Sequence, residues 1–366
     1  MSARSLQVIL WATGSVGQFA IRGIVEHPEL ELAAVKVYSD NKVGKDAGEI
    51  AGIASTGIIC SKDSQALIAM QADCVFYCPA QPDYDDIEAI LRSGKNIVTT
   101  TGLLYPKALD QDLQERLKSA CIAGKTSLHG SGINPAFVSD VLPLTLSSLS
   151  RGVSHIRAAE LANVEAYIAS APEVMVEGVG FGRSPEYALD PQRPFVMWMN
   201  EYFGQSLHMI CDHVNRPLDN TKTQHEVALA TETVKCGDVV IEKGSVACTR
   251  YQWLAEIDGK TVITLQILWV ATPHIDPAWP EILGETGKWV IEIEGTPSIQ
   301  CELKIVDSLD PDNPGFMQHA TGGVAATALH GVNAIPYVCR ADAGIKTFLD
   351  LPLMASRGAF AKAAIS

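Results

Sequence analysis

With 366 residues, 47% of them hydrophobic and 19% charged, the chain has the composition of a folded protein long enough for two domains. A formal net charge of −14 argues against partners that present phosphate surfaces, so neither nucleic acid nor an anionic membrane is expected. Nine cysteines occur without a C-x-x-C pair, and no apolar run approaches the roughly 18 residues needed to span a bilayer. The expectation is a cytoplasmic protein with reduced thiols.

Gln7 to Trp11 reads as a short buried strand, Ala12-Thr13-Gly14 as a turn, and Ser15 onward as a helix to about Glu26. That order opens a dinucleotide-binding βαβ unit. Gly14 lets the backbone approach a pyrophosphate, Gly17 lets the helix pack on the strand, and the free N–H groups at the helix start face the anion. Ala12 stands where the fingerprint has its first glycine, and it is expected to make the turn with φ negative. Pro28 closes the helix, and a second strand runs from Leu30 to Tyr38. No acid lies within that strand to hold a ribose 2′-hydroxyl. Ser39 and Lys42 follow it and suit a 2′-phosphate, whereas Asp40 argues for the free ribose, so the reading is NADP with NAD as the alternative.

Asp73–Cys78, Ile97–Thr100 and Thr126–His129 are three further strands, with helices over Asp85–Ser93 and Leu109–Ala123 between them. The alternation predicts a parallel, doubly wound sheet. Its ligand edge then carries the Gly14 turn and the loops at Pro79, Thr101 and Gly130. From Val153 the pattern changes. Strands are expected over Val153–Ala162, Gln224–Val234, Ser245–Ile257, Thr261–Ala271, Lys288–Glu294 and Ile299–Ile305, with a hairpin at Asp258-Gly259 and a helix over Pro194–Val214. Met175–Gly182 is read as a turn-rich segment, too glycine-rich for a stable helix. A helix returns over Thr321–Asn333, followed by an apolar tail. The fold class is α/β: a Rossmann dinucleotide-binding domain over 1–135 and an α+β domain with a largely antiparallel sheet over 136–320. Residues 321–366 pack back on the first domain, and a cleft between the domains holds the active site.

The segments Ala12–Gly17, Tyr38–Glu49, Gly94–Thr100, His129–Pro135 and Val332–Pro336 together resemble NAD(P)-dependent oxidoreductases with a dihydrodipicolinate-reductase-like N-terminal domain. Within that group the chain is similar to the branch of 2,4-diaminopentanoate dehydrogenase and the native amine dehydrogenases. The resemblance implies a homodimer formed largely through the C-terminal domain. It also implies cofactor contacts from Gly14, Ser15, Val16, Gly17, Ser39, Lys42, Pro79, Ala80, Thr100, Thr101, Gly102 and Asn134, with Asn333 at the nicotinamide end. The substrate pocket would be lined by Ile133, Phe137 and Tyr167. Characterised amine dehydrogenases carry a glutamate before the Tyr-Pro of the loop after the fourth strand, but here the loop reads Thr100-Thr101-Gly102-Leu103-Leu104-Tyr105-Pro106 and has no carboxylate. The lysine motif of dihydrodipicolinate reductases is absent after His129-Gly130 as well.

The implied activity is hydride transfer to or from a C=O or C=N carbon of a small hydrophobic molecule. The candidates for proton transfer are His129, Tyr167 and Glu165, with Tyr105 beside them. The alternatives are an amine dehydrogenase with a non-standard proton donor, a non-catalytic NADP-binding sensor, and an isomerase or lyase that retains its nucleotide. No His, Cys or Asp group has metal-ligand spacing, so no metal is expected.

Overall fold

A computed structural model describes residues 4–282, 287–306, 308–309 and 319–357. They fall into two units: the described part of Met1–Ile133 with Val324–Ser366, and that of Asn134–Gly323.

The first unit begins with β1 (Leu6–Trp11), α1 (Ser15–Glu26) and β2 (Leu30–Lys36). It continues through β3 (Cys74–Tyr77), α2 (Tyr84–Arg92), β4 (Asn96–Thr99), α3 (Gln111–Gly124) and β5 (Ser127–Gly130). Each pairing is parallel. The period of two along β1 sorts its side chains to two faces. Val8 and Leu10 pack with Ala20, Ile21 and Ile24 of α1, and Ile9 and Trp11 pack with Ile87, Ile90 and Leu117 of α2 and α3. A strand buried on both faces explains why β1 reads as a continuous apolar run.

The second unit contains β6 (Arg151–Asn163), α4 (Pro194–His213), β7 (Asn220–Ala230), β8 (Val246–Ile257), β9 (Lys260–Val270), β10 (Ile275–Asp276), β11 (Lys288–Thr296) and β12 (Ile299–Leu303). Seven strands form one sheet in the order β10-β7-β8-β9-β6-β11-β12. Only β6 and β9 run parallel to each other, and the other pairings are antiparallel. Asp258 (φ 52°) and Gly259 (φ 68°) turn β8 into β9, the two positive φ values of a tight hairpin. Helix α4 covers one sheet face, where the Phe203 and Trp253 rings stack at 3.9 Å.

The chain ends its described part with α5 (His319–Val338) and β13 (Gly344–Lys346). Ala328, Val332 and Ile335 of α5 join the Val8 face of the first sheet. Strand β13 pairs in parallel with β5, so that sheet has six strands in the order β2-β1-β3-β4-β5-β13.

Four sequence expectations are corrected. Ala12 adopts φ 94° rather than a negative value. The turn needs that strained backbone to bring the Ala12 carbonyl under α1, and the bond from Ala12 N to Lys36 O (3.1 Å) helps hold it there. Glu173–Val179 winds as a π-helical segment instead of a turn, because burial of Met175 and Val179 outweighs the glycine penalty. The predicted strand Gln224–Val234 begins at Asn220 and stops at Ala230, and Val234 belongs to a separate hairpin with Val239–Ile241. The last helix runs past Asn333 through Pro336 to Val338. Ala334, Ile335 and Val338 are all fully buried there, which offsets the backbone bond that proline cannot make.

Candidate functional site

Strand order in the first sheet reverses between β1 and β3, and in such sheets ligands bind beyond the carboxyl ends of the strands at that point. The turn from Ala12 into α1 and the loop after β3 flank the reversal. Gly17 is built into this turn, since a Cβ there would stand 2.3 Å from the Ala12 carbonyl oxygen. Gly14 is different. An added Cβ would meet nothing within 4 Å, and as N-cap it gives α1 no side-chain hydrogen bond. The first N–H groups of a 12-residue helix therefore open onto free space beside exposed Gly14 and Ser15. A pyrophosphate fits such a cradle by charge and hydrogen bonding. Val16, half-buried, follows them in the first turn.

Lys42 reaches back to the same turn, donating from Nζ to Thr13 O (2.7 Å) and Thr13 Oγ1 (3.3 Å). Ser39 is the N-cap of the Asp40–Lys42 turn, and its hydroxyl makes no capping bond. The Asp40 carboxylate pairs with Lys62 Nζ at 2.5 Å. On the next loops, Pro79 is half-buried and Ala80 exposed. Thr99 and Thr101 share a buried hydroxyl–hydroxyl bond of 2.7 Å, which fixes the Thr100–Gly102 segment. Gly130 lies against that segment so closely that a Cβ would approach Leu103 O to 2.0 Å. Asn333 lies half-buried in α5.

His129 is fully buried. Its Nδ1 meets Lys346 O at 2.8 Å, its ring stands edge-on to Phe348, and burial lowers its pKa to about 4. A neutral imidazole pinned to β13 through Nδ1 is anchored as a structural histidine is, while its buried Nε2 has no hydrogen-bond partner among the described residues. Tyr105 is also buried, with Lys107 Nζ 5.6 Å from its ring centroid. Glu165 is exposed at the start of a short helix, Glu165–Ser170.

The second unit assembles a group that the sequence reading missed. Glu160 of β6 is opposite Ile267 of β9 and Trp289 of β11, and Ile267 is opposite Tyr251. Their side chains share one sheet face, and Trp269 lies two residues along on the same face. The Glu160 carboxylate accepts from Asn134 Nδ2 (2.6 Å), Trp269 Nε1 (3.0 Å) and Trp289 Nε1 (3.2 Å). His319 Nε2 lies 3.4 Å from Oε1, and the side chains of Glu160 and His319 are only 12% and 6% exposed. Burial acts to raise the Glu160 carboxyl. The hydrogen bonding and charge of His319, with bonds from Asn134 and Trp269, outweigh it and hold the group below the ordinary carboxylate range. Ser139 donates to Asn134 Oδ1 at 2.6 Å, so both ends of that amide are used within the protein. Tyr167 is half-buried, and its pKa is raised by burial and then by the Glu160 charge, which places the phenol within the field of that carboxylate. Ile133 and Phe137 are half-buried on either side of Asn134-Pro135-Ala136. A lone glutamate in the apolar run Ala158-Ala159-Glu160-Leu161-Ala162 was the available signal, because a charge is seldom buried unless partnered. Among the described residues no cluster of metal-ligating side chains occurs.

Comparison with known proteins gives two family matches. The 2,4-diaminopentanoate dehydrogenase C-terminal domain matches residues 137–364, and the dihydrodipicolinate reductase N-terminus matches residues 7–123. An amine dehydrogenase of Streptomyces virginiae is 28% identical over 96% of this chain and 98% of its own length. A 2,4-diaminopentanoate dehydrogenase of Acetoanaerobium sticklandii is 26% identical over 77% of this chain and 74% of its own. The solved structure of an amine dehydrogenase from Mycobacterium smegmatis superposes with a TM-score of 0.73 at 17% identity, covering 96% of this chain and 97% of that one, and it supports the fold.

Proposed function

The chain belongs to the family of the 2,4-diaminopentanoate dehydrogenase C-terminal domain and is an NAD(P)-dependent oxidoreductase. On that premise we propose that it transfers hydride between NADP(H) and the C=N carbon of a small hydrophobic imine or amine. The observation that carries this reading is the open, uncapped start of α1 at the sheet's reversal point. When bound there, the nicotinamide cofactor supplies the hydride. The protein holds the pyrophosphate on the backbone of Gly14, Ser15, Val16 and Gly17 and orients the dinucleotide along the loops at Pro79–Ala80 and Thr100–Gly102. NADP is favoured over NAD because Ser39 and Lys42 stand ready for a 2′-phosphate while Asp40 is paired with Lys62. The C=N preference rests on the two relatives named for amine and diamine oxidation. Ile133, Phe137 and Tyr167 are proposed to line the substrate pocket. A homodimer in a reducing cytoplasm completes the proposal, and nine free cysteines suit that compartment.

The test follows NADPH oxidation by the purified protein with linear and cyclic hydrophobic ketones and aldehydes, with and without high ammonium at alkaline pH. Ammonium-dependent oxidation is expected. Ammonium-independent oxidation would instead identify a carbonyl reductase on this scaffold, and binding of NADPH without turnover of any compound would overturn the enzymatic proposal. Sedimentation tests the dimer, which requires a single species of twice the chain mass.

A further inference from the structure

Cys74 opens β3, and the period of two along that strand puts its side chain with Phe76 on the face that packs against α1 and α5. Cys339 follows the last residue of α5, where its N–H donates to Ile335 O at 3.0 Å. The two lie far apart in sequence. Val332, Ile335 and Val338 press α5 onto that face and bring Cys339 against the apolar cluster that contains Cys74. We propose that Cys74 and Cys339 are a redox-active thiol pair, joined by a reversible disulfide when the protein meets a peroxide, which staples the end of α5 to β3. This modification site is independent of the reaction proposed above, and both of its residues belong to the first unit.

Cys339 Sγ lies 3.8 Å from the carbonyl oxygen of Asp73, the residue bonded to Cys74. The Cys339 thiol is also a hydrogen-bonding neighbour of the Cys74 thiol. Burial, followed by that contact, holds Cys74 well above the ordinary thiol range. Cys74 is fully buried, whereas Cys339 is half-buried. An oxidant therefore meets Cys339 first, and Cys74 stands behind it as a protected, protonated partner.

In the first step the Cys339 thiolate attacks one peroxide oxygen and the O–O bond breaks. The other oxygen leaves as hydroxide and becomes water with the proton that Cys339 has released. Cys339 is then a sulfenic acid. In the second step Cys74 Sγ attacks Cys339 Sγ and the S–O bond breaks. The departing hydroxide takes the Cys74 proton and leaves as a second water. Two thiols lose two electrons in all, and one peroxide is reduced to two waters. A dithiol reductant reverses the link by exchange.

The experiment exposes the folded full chain to hydrogen peroxide as wild type, Cys339→Ser and Cys74→Ala. Each is then alkylated in denaturant, digested and mapped by mass spectrometry. The wild type is expected to yield one cross-linked peptide pair containing Cys74 and Cys339, which dithiothreitol separates. Cys74→Ala is expected to stop at a Cys339 sulfenic acid that dimedone traps, and Cys339→Ser to keep Cys74 as a free thiol. The linked wild type should unfold about 5 °C above its reduced form, because a cross-link closing so long a loop restricts the unfolded chain. A folded wild type in which Cys339 proceeds to sulfinic acid while Cys74 remains alkylatable would overturn the proposal. So would one in which neither residue reacts while the equally half-buried Cys301 does. A linked protein that unfolds no later than the reduced one would overturn the staple. The wild-type map is decisive even if a variant fails to fold, and none of these readouts depends on turnover of NADPH.

Discussion

The two units handle polar chemistry in opposite ways. At the reversal point of the first sheet the working surface is mainly backbone: an open helix start, a glycine packed under a carbonyl and a lysine resting on a turn. In the second unit the concentrated polarity is side-chain, with one carboxylate surrounded by an amide, two indoles and an imidazole. The backbone site is exposed at Gly14 and Ser15, and the first turn of α1 carries no acidic side chain. The side-chain site is buried and carries its own anion, which accepts from the amide and both indoles.

That contrast can be broken at either end. The largest effect is expected from Glu160→Ala, which strands three donors in the interior and should cost about 3–5 kcal/mol by calorimetric unfolding. A cost below about 1 kcal/mol would mean that water reaches those donors. Gly17→Ala should cost about 1–3 kcal/mol, because its Cβ meets backbone that cannot easily give, and NADPH affinity should fall at least tenfold. Gly14→Ala has open space and a negative φ of −68°, so its stability should stay within about 0.5 kcal/mol of wild type. Equal losses at the two glycines would remove the distinction between packing and ligand approach.

Asp140 sharpens the comparison through pH. It is fully buried in the second unit, burial pushes its carboxyl up to about 8 with nearby Ser206 opposing the shift, and neither carboxyl oxygen has a hydrogen-bond partner among the described residues. The folded state therefore holds this proton more tightly than the unfolded chain does. Its favourable contribution is complete below about pH 4 and is lost as pH rises toward 8. Asp140→Asn should flatten that window and raise stability at pH 8 by about 1–3 kcal/mol in urea titrations. The smallest structural effect is expected from Lys42→Ala. Stability should move by less than about 0.5 kcal/mol, whereas NADPH binding weakens about tenfold and NADH binding holds. An equal loss for both cofactors would assign Lys42 to the pyrophosphate.

The first unit was the more legible half because its chemistry follows the chain. Gly14 and Gly17 lie three residues apart, and the alternation of strand and helix that places their loops on one edge is local. Even there the φ of Ala12 was misjudged, since the turn's conformation depends on packing with α1 and on the bond to Lys36. In the second unit the strands were largely placed but their order was not. Glu160 meets Asn134, Trp269 and Trp289 at separations of 26, 109 and 129 residues. Those meetings depend on the register of β6 against β9 and β11, which hydrophobic pattern alone does not specify between strands of similar character. Asn134 and Tyr167 were singled out from resemblance, and in the fold both are close to Glu160, a residue the reading had passed over.

The last described strand adds a matter of timing. β13 contributes Gly344–Lys346 to a sheet whose first strand starts at Leu6, and the Lys346 carbonyl receives His129. A chain emerging from the ribosome at about 5–20 residues per second can form the pairs among β1 to β5 early, but the β5 edge is covered only after residue 346 has been made. Until then His129 lacks its carbonyl and β5 presents an open edge of the kind that recruits other strands. The first unit thus begins folding before the second and finishes after it has been made. A truncation before residue 344 would expose a defect in the unit that begins at the other end of the chain.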